Sequence, residues 1–130
     1  MTFGLSDILL RREFGGVEIG SHVEDVFLKL SPSWDEGRGL GKTRILQFFK
    51  GAAEISVKGD RVCLISVHVW KLDESSMAAI PFRNDELSVT TWLKEHGISW
   101  SREIYADVWR LDNGVSLSFS DGELESIQVL

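Results

Sequence analysis

Strict alternation of apolar and polar residues marks the last part of the sequence. Leu117 and Phe119 oppose Ser116 and Ser118, and Ile127 and Val129 oppose Ser126 and Gln128. A period of two is the signature of a strand with one buried face. Similar tracts predict strands over residues 44–49, 53–58, 61–71, 103–111, 114–120 and 123–130. Gly59-Asp60, Asp112-Asn113-Gly114 and Ser120-Asp121-Gly122 separate them, and such pairs supply the positive φ that tight hairpin turns need. Carried along residues 61–71, the parity places Cys63, Ile65, Val67 and Val69 inward and Ser66, His68 and Trp70 outward. Along residues 103–111 it places Ile104, Ala106 and Val108 inward and Tyr105, Asp107 and Trp109 outward.

Helical spacing appears in three places. Residues 5–13 predict a short helix capped by Ser6 or Asp7 and ended by Phe14-Gly15-Gly16. Val23, Val26, Phe27 and Leu30 form one stripe, preceded by Ser21 and Glu24 at the spacing of a capping box and followed by Pro32. Residues Ser88–His96 carry Val89, Trp92 and Leu93 on one face, with Gly97 as a left-handed stop.

The pattern occurs twice. Glu54–Val67 aligns with Ser116–Val129 at an offset of 62 without a gap, each reading strand, turn, strand. Upstream, Val23, Val26, Phe27 and Trp34 align with Val89, Trp92, Leu93 and Trp100 at an offset of 66, which places a four-residue excess around Gly37–Thr43. A repeat fixes architecture before detail. The fold class expected is α+β: one domain over residues 1–130, built of two tandem helix-plus-antiparallel-strand units. These cover about 1–71 and 80–130, joined by a connector at 72–79. They form one sheet with the helices packed on one face.

Gly20, Ser21, the acid at Glu24 or Asp25, and Val26 open the first unit. With the two tandem units, this resembles the β-lactamase-inhibitor-protein fold, a unit shared by small outer-membrane lipoprotein assembly factors. Val115, Leu117, Phe119, Gly122, Leu124 and Ile127 are spaced as in small bacterial proteins of unknown function and toxin-immunity proteins. The resemblance implies a non-catalytic inhibitor or immunity role. The chain departs from the secreted inhibitor in lacking paired cysteines, and from the lipoproteins in lacking a lipobox.

Composition narrows the partner. The net charge is −6. Residues 1–79 hold 11 acids and 10 bases, and residues 80–130 hold 9 acids and 4 bases, so the acidity sits in the second part. Nucleic-acid binding, which needs a basic surface, is disfavoured, whereas a basic protein partner is suited. No apolar run approaches the roughly 18 residues of a membrane span. Arg11, Arg12 and Glu13 directly follow Ile8-Leu9-Leu10, unlike a signal peptide, so no membrane association and a cytoplasmic location are expected. One cysteine, Cys63, excludes an intrachain disulfide, and its apolar surroundings predict a buried, inert thiol.

Candidate chemistry is sparse. Gly37–Thr43 resembles a phosphate loop, but Glu36 stands where the first glycine is required and a strand follows where a helix is needed. His22, His68 and His96 have no metal-ligand spacing, and no G-x-S-x-G elbow exists. No catalytic, metal or cofactor residue is assigned. Five tryptophans are many for 130 residues. Trp34, Trp92 and Trp100 follow the repeat and suit a core. Trp70 and Trp109 fall on the polar side of their strands and, with His68, Tyr105 and Asp107, form the candidate partner-binding face, since aromatic residues dominate interface energetics. The leading expectation is a protein-binding module acting through its open sheet face. The alternative is a small-ligand or enzymatic domain with a pocket between the units.

Overall fold

Strands form where the alternation is strongest, and tight turns set their order. The computed structural model describes residues 5–30, 35–39, 41–72, 82–103 and 107–130. Among these the α-helices are α1 (Leu5–Arg11), α2 (Val23–Leu30) and α3 (Glu86–Glu95). The strands are β1 (Asp35–Arg38), β2 (Arg44–Phe48), β3 (Ala53–Lys58), β4 (Arg61–His68), β5 (Trp100–Arg102), β6 (Val108–Leu111), β7 (Ser116–Ser120) and β8 (Glu123–Val129). They form one antiparallel sheet in the order β1-β2-β3-β4-β8-β7-β6-β5, so the fold is α+β. Helical residues such as Leu9, Val26 and Leu93 join strand residues such as Leu46, Ile65, Leu117 and Ile127 in one hydrophobic core. The 72–79 connector, Trp34, Pro32 and Tyr105 lie outside the described residues, apart from Leu72, which is buried.

Two hairpins carry the register. Gly59 and Asp60 turn β3 into β4 with φ of +59° and +61°, and Asp121 and Gly122 turn β7 into β8 with +51° and +78°. Two successive positive φ values match the right-handed twist of the flanking strands. Each hairpin then contains a bulge. Val57 pairs Val62 but Ser56 pairs Leu64, leaving Cys63 as the extra residue. Phe119 pairs Leu124 but Ser118 pairs Ser126, leaving Glu125 extra. An extra residue resets the alternation beyond it. The inward placement of Cys63 is therefore corrected: Val62, Ile65 and Val67 are buried, whereas Cys63 is half-exposed and its Sγ donates to Ser56 O at 3.4 Å. The strand also stops at His68, and Val69–Lys71 forms a single 3-10 turn.

A second correction concerns Trp109. The tract 103–111 is not one strand, since β5 ends at Arg102 and β6 begins at Val108. Parity counted through that break comes out inverted. Trp109 is paired with buried Leu117 and is itself 2% exposed, while Val108 is half-exposed. Its ring stacks on Trp100 (6.0 Å, 13°) and packs on Phe119 at 4.3 Å, with the Arg102 guanidinium 5.4 Å from its centroid. Trp92 is buried, and Trp100 is half-buried at the edge of the same core. Strand β1 lies where the residue pattern predicts no strand, and it pairs with β2.

The helix starts differ from the capping-box expectation. α2 begins at Val23, so His22 holds the cap position and its Nδ1 accepts from Glu24 N at 3.1 Å. Ser21 Oγ instead accepts from Glu18 N. At α3 the cap is Asp85, whose Oδ1 accepts from Ser88 N at 2.8 Å and whose Oδ2 accepts from Ser88 Oγ at 2.9 Å. Gly97 (φ +67°) stops α3, with Ile98 N donating back to Leu93 O. Both caps are tied to the sheet. Val62 N donates to Ser21 O and Leu124 N to Asn84 O, and His22 and Asp85 bridge Arg61 and Glu123, the first residues of β4 and β8.

Two expectations follow. Trp109→Ala should lower unfolding free energy by about 3–5 kcal/mol, the range for truncating a buried tryptophan, read from the denaturant midpoint. An unchanged midpoint would show that the ring is not core. The hydrogen bonds from the Ser88 backbone and side chain hold the Asp85 carboxyl below its ordinary value. Its folded value is thus lower than its unfolded one, so the stabilisation is complete above the ordinary carboxylate range. It is lost as pH falls toward the folded value. Asp85→Asn keeps a capping acceptor without the titration, and its melting temperature should decline less than wild type on acidification from about pH 5 to about pH 2.

Candidate protein-interaction site

The face opposite the core is a polar band that crosses every strand. Following cross-strand partners, it runs Asp35, Gln47, Glu54, Ser66, Gln128, Ser116, Arg110, Ser101. No member is a large apolar residue, and from β2 to β6 each alternates with a core residue on its own strand. One step along, His68, Ser126, Ser118 and Val108 make a parallel row over four strands.

His68 and Trp70 stand where this face meets the β7–β8 turn. His68 Nε2 and Glu54 Oε1 are 2.8 Å apart, each side chain about one quarter exposed. The His68 ring lies 6.5 Å from that of Trp70. Trp70 is 64% exposed, which is unusual for a residue of its apolar area. It forms one wall of a shallow cleft of about 390 Å³, completed by Ser120, Asp121, Glu123, Leu124 and Glu125. Because Glu125 is the bulge residue and Asp121 sits in the turn, both escape the alternation that buries Leu124. Among the described residues, Asp121, Glu123 and Glu125 have no ion-pair partner. Lys71 Nζ, 5.1 Å from the Trp70 ring centroid, is the nearby cation.

An aromatic face beside uncompensated carboxylates attracts cations, through the ring quadrupole and through Coulomb interaction. The cleft therefore suits a lysine or arginine side chain presented by another molecule.

The structure brings together only part of the expected face. His68 and Trp70 are neighbours. Asp107 is exposed but lies beside Val108, three strands away along the His68 row, where its backbone O accepts from Phe119 N and its carboxylate is 3.9 Å from Arg102. Tyr105 is outside the described residues, and Trp109 is buried, which removes it from any exposed patch. The other histidines serve elsewhere: His22 caps α2, and His96 stacks on Trp92 at 4.1 Å. Reading by residue type leaves Glu123 and Glu125, like Glu103 and Asp107, as scattered surface acids and does not group the first two with Asp121. Their clustering about one hairpin turn was the available signal, and the bulge that gathers them was not.

Compared with known proteins, the chain matches no family model, no curated protein and no solved structure. No helix among the described residues is long and apolar enough to cross a membrane.

The cleft's charge predicts a quenching pattern. Relative to a free tryptophan derivative, the tryptophan fluorescence fraction that Trp70→Phe removes should be quenched more strongly by caesium and more weakly by iodide at equal ionic strength, and added salt should narrow the difference. A caesium-to-iodide ratio of quenching constants at or below that of a free tryptophan derivative would show that the Trp70 surroundings are not net acidic.

Proposed function

We propose that the chain is two copies of one helix-plus-four-strand unit whose shared open face binds a basic protein partner, in the manner of a bacterial toxin-immunity or inhibitor protein. Several registers support the two-unit reading. The strand order runs β1 to β4 and then β8 back to β5. The bulges at Cys63 and Glu125 lie 62 residues apart, and Ser66 pairs Gln128, its own counterpart at that offset. The caps His22 and Asp85 lie 63 residues apart and bridge equivalent strand starts. Leu46 pairs Ile55 as Trp109 pairs Leu117, which makes Trp109 the counterpart of a core leucine. On this alignment the helices correspond at an offset of 63, through Val26 with Val89 and Leu30 with Leu93, rather than at 66. All four core side chains belong to one buried cluster, which supports helices packed on the inner face alone.

The binding reading rests on one observation: the exposed Trp70 over the cleft of Asp121, Glu123 and Glu125. An exposed tryptophan beside uncompensated acids fits an interface anchor for a cationic side chain, with the net charge of −6 steering a basic partner toward it. The cleft draws one wall from each unit, where a small-ligand pocket is the alternative. Its shallow form and three carboxylates favour a side chain projecting from a protein surface.

Immobilised wild type and Trp70→Ala, matched for melting temperature, test this against a lysate of the source cells. A retained protein of positive net charge should bind the variant about 30-fold more weakly, equivalent to roughly 2 kcal/mol for an anchor residue, and both should weaken with salt. Equal retention by the two would overturn the role of Trp70.

A further inference from the structure

The β1–β2 hairpin concentrates positive charge in a protein that is otherwise acidic. Arg38 and Arg44 are direct cross-strand partners at its last rung. Like charges placed directly opposite destabilise an antiparallel pair, so this rung costs stability. Continuing the same row, Arg44 pairs Val57 and Val57 pairs Val62, both buried. The arginines thus extend a core row out to the sheet edge, a position an apolar or opposite-charge pair would fill at less cost. Lys42 adds a third cation in the loop.

Only part of this charge is answered. Glu36 Oε1 accepts from Arg44 Nε at 2.9 Å and from Arg44 Nη2 at 2.5 Å. Asp35 lies on the opposite side of β1, and its Oδ1 accepts from Glu36 N. Among the described residues no carboxylate pairs with Arg38 or Lys42. These groups converge on a cavity of about 280 Å³ lined by Arg38, Gly41, Lys42, Thr43 and Arg44. Gly41 holds φ +67° with open space where a Cβ would stand, so the backbone here leaves room for close approach of a ligand.

We propose that this hairpin cavity binds a phosphoryl dianion, either free phosphate or the phosphate of a small monoester. Arg38 meets two of its oxygens as a planar fork, Lys42 supplies a point charge, and the Thr43 hydroxyl donates a further hydrogen bond. The site works without a helix N-terminus. Its driving force is relief of the Arg38–Arg44 opposition, with Arg44 held in place by Glu36. It is independent of the Trp70 cleft, which carries charge of the opposite sign.

Titration of the ¹⁵N-labelled chain tests it, with inorganic phosphate, glycerol 2-phosphate and sodium chloride at matched ionic strength. Phosphate should give saturable shifts at the amides of Gly41, Lys42 and Thr43, and a rise in melting temperature that chloride does not give. Lys42→Gln should weaken the apparent Kd about tenfold, the usual scale for one charge-assisted contact. Arg38→Gln with Lys42→Gln should abolish saturation while far-UV circular dichroism stays unchanged. Tighter binding of the glycerol ester assigns the cavity to monoesters, and equal or weaker binding assigns it to free phosphate. Shifts matched by chloride, or retained in the double variant, would overturn the site as an adventitious ion only.

Discussion

Four residue pairs between β4 and β8, from Ile65↔Val129 to His68↔Ser126, join two antiparallel four-stranded runs into one sheet. Ile65, Val67, Ile127 and Val129 are fully buried at that seam. Burying a side chain of this size contributes on the order of 1.5–3 kcal/mol. The seam also sets the central spacing of both faces. On one side its side chains floor the core. On the other it aligns Ser66 with Gln128 and His68 with Ser126, which makes the polar band continuous. Without the seam each run would present an unpaired apolar strand to solvent, the arrangement that invites association with other chains.

The two bulges give the faces their local chemistry. At Glu125 the extra residue gathers three carboxylates beside Trp70, and at Cys63 it lifts a thiol out of the core. Charge is concentrated locally at two hairpins. The β7–β8 turn is acidic, and the β1–β2 turn is basic. The net charge of −6 conceals this division. Steering of a basic partner and capture of a small anion would proceed at separate places with little mutual screening at physiological salt, where fields decay over about 8 Å.

Much of the architecture was legible in residue pattern. The two Gly/Asp turns, the alternation in β7 and β8, the stop at Gly97 and the helical stripes are local signals, and each corresponds to an element. What escaped reading depends on pairing partners. A bulge adds a residue with no compositional mark, so Cys63 was assigned to the wrong side. Trp109 is inverted because the alternation is counted from residue 103, whereas β6 begins only at Val108. β1 carries Asp35, Glu36, Gly37 and Arg38, residues poor in strand propensity, and owes its conformation to pairing with β2. At His22 an imidazole took the cap where Ser21 and Glu24 had the more familiar pattern, because the sheet bridge to Arg61 fixes where the helix begins. Of the candidate site, the half-exposed His68 is legible from strand parity, whereas Trp70 owes its exposure to the 3-10 turn after β4, and the acids that give the cleft its character are gathered by the β7–β8 turn and bulge.

The central place of β8 has a consequence for synthesis. Among the described strands it is the last to be made, yet it sits between β4 and β7 in the middle of the sheet. As the chain emerges, β1 to β4 can assemble by neighbouring hairpins, but the free side of β4 has no partner until residues 123–129 leave the ribosome. During that interval its backbone hydrogen-bonding groups and the apolar row of Ile65 and Val67 stay open to any strand nearby, including β4 of another nascent chain. Closure is therefore a late, long-range event, the kind that slows folding. The window for mispairing is set by how fast the second half is translated rather than by how stable the finished sheet is.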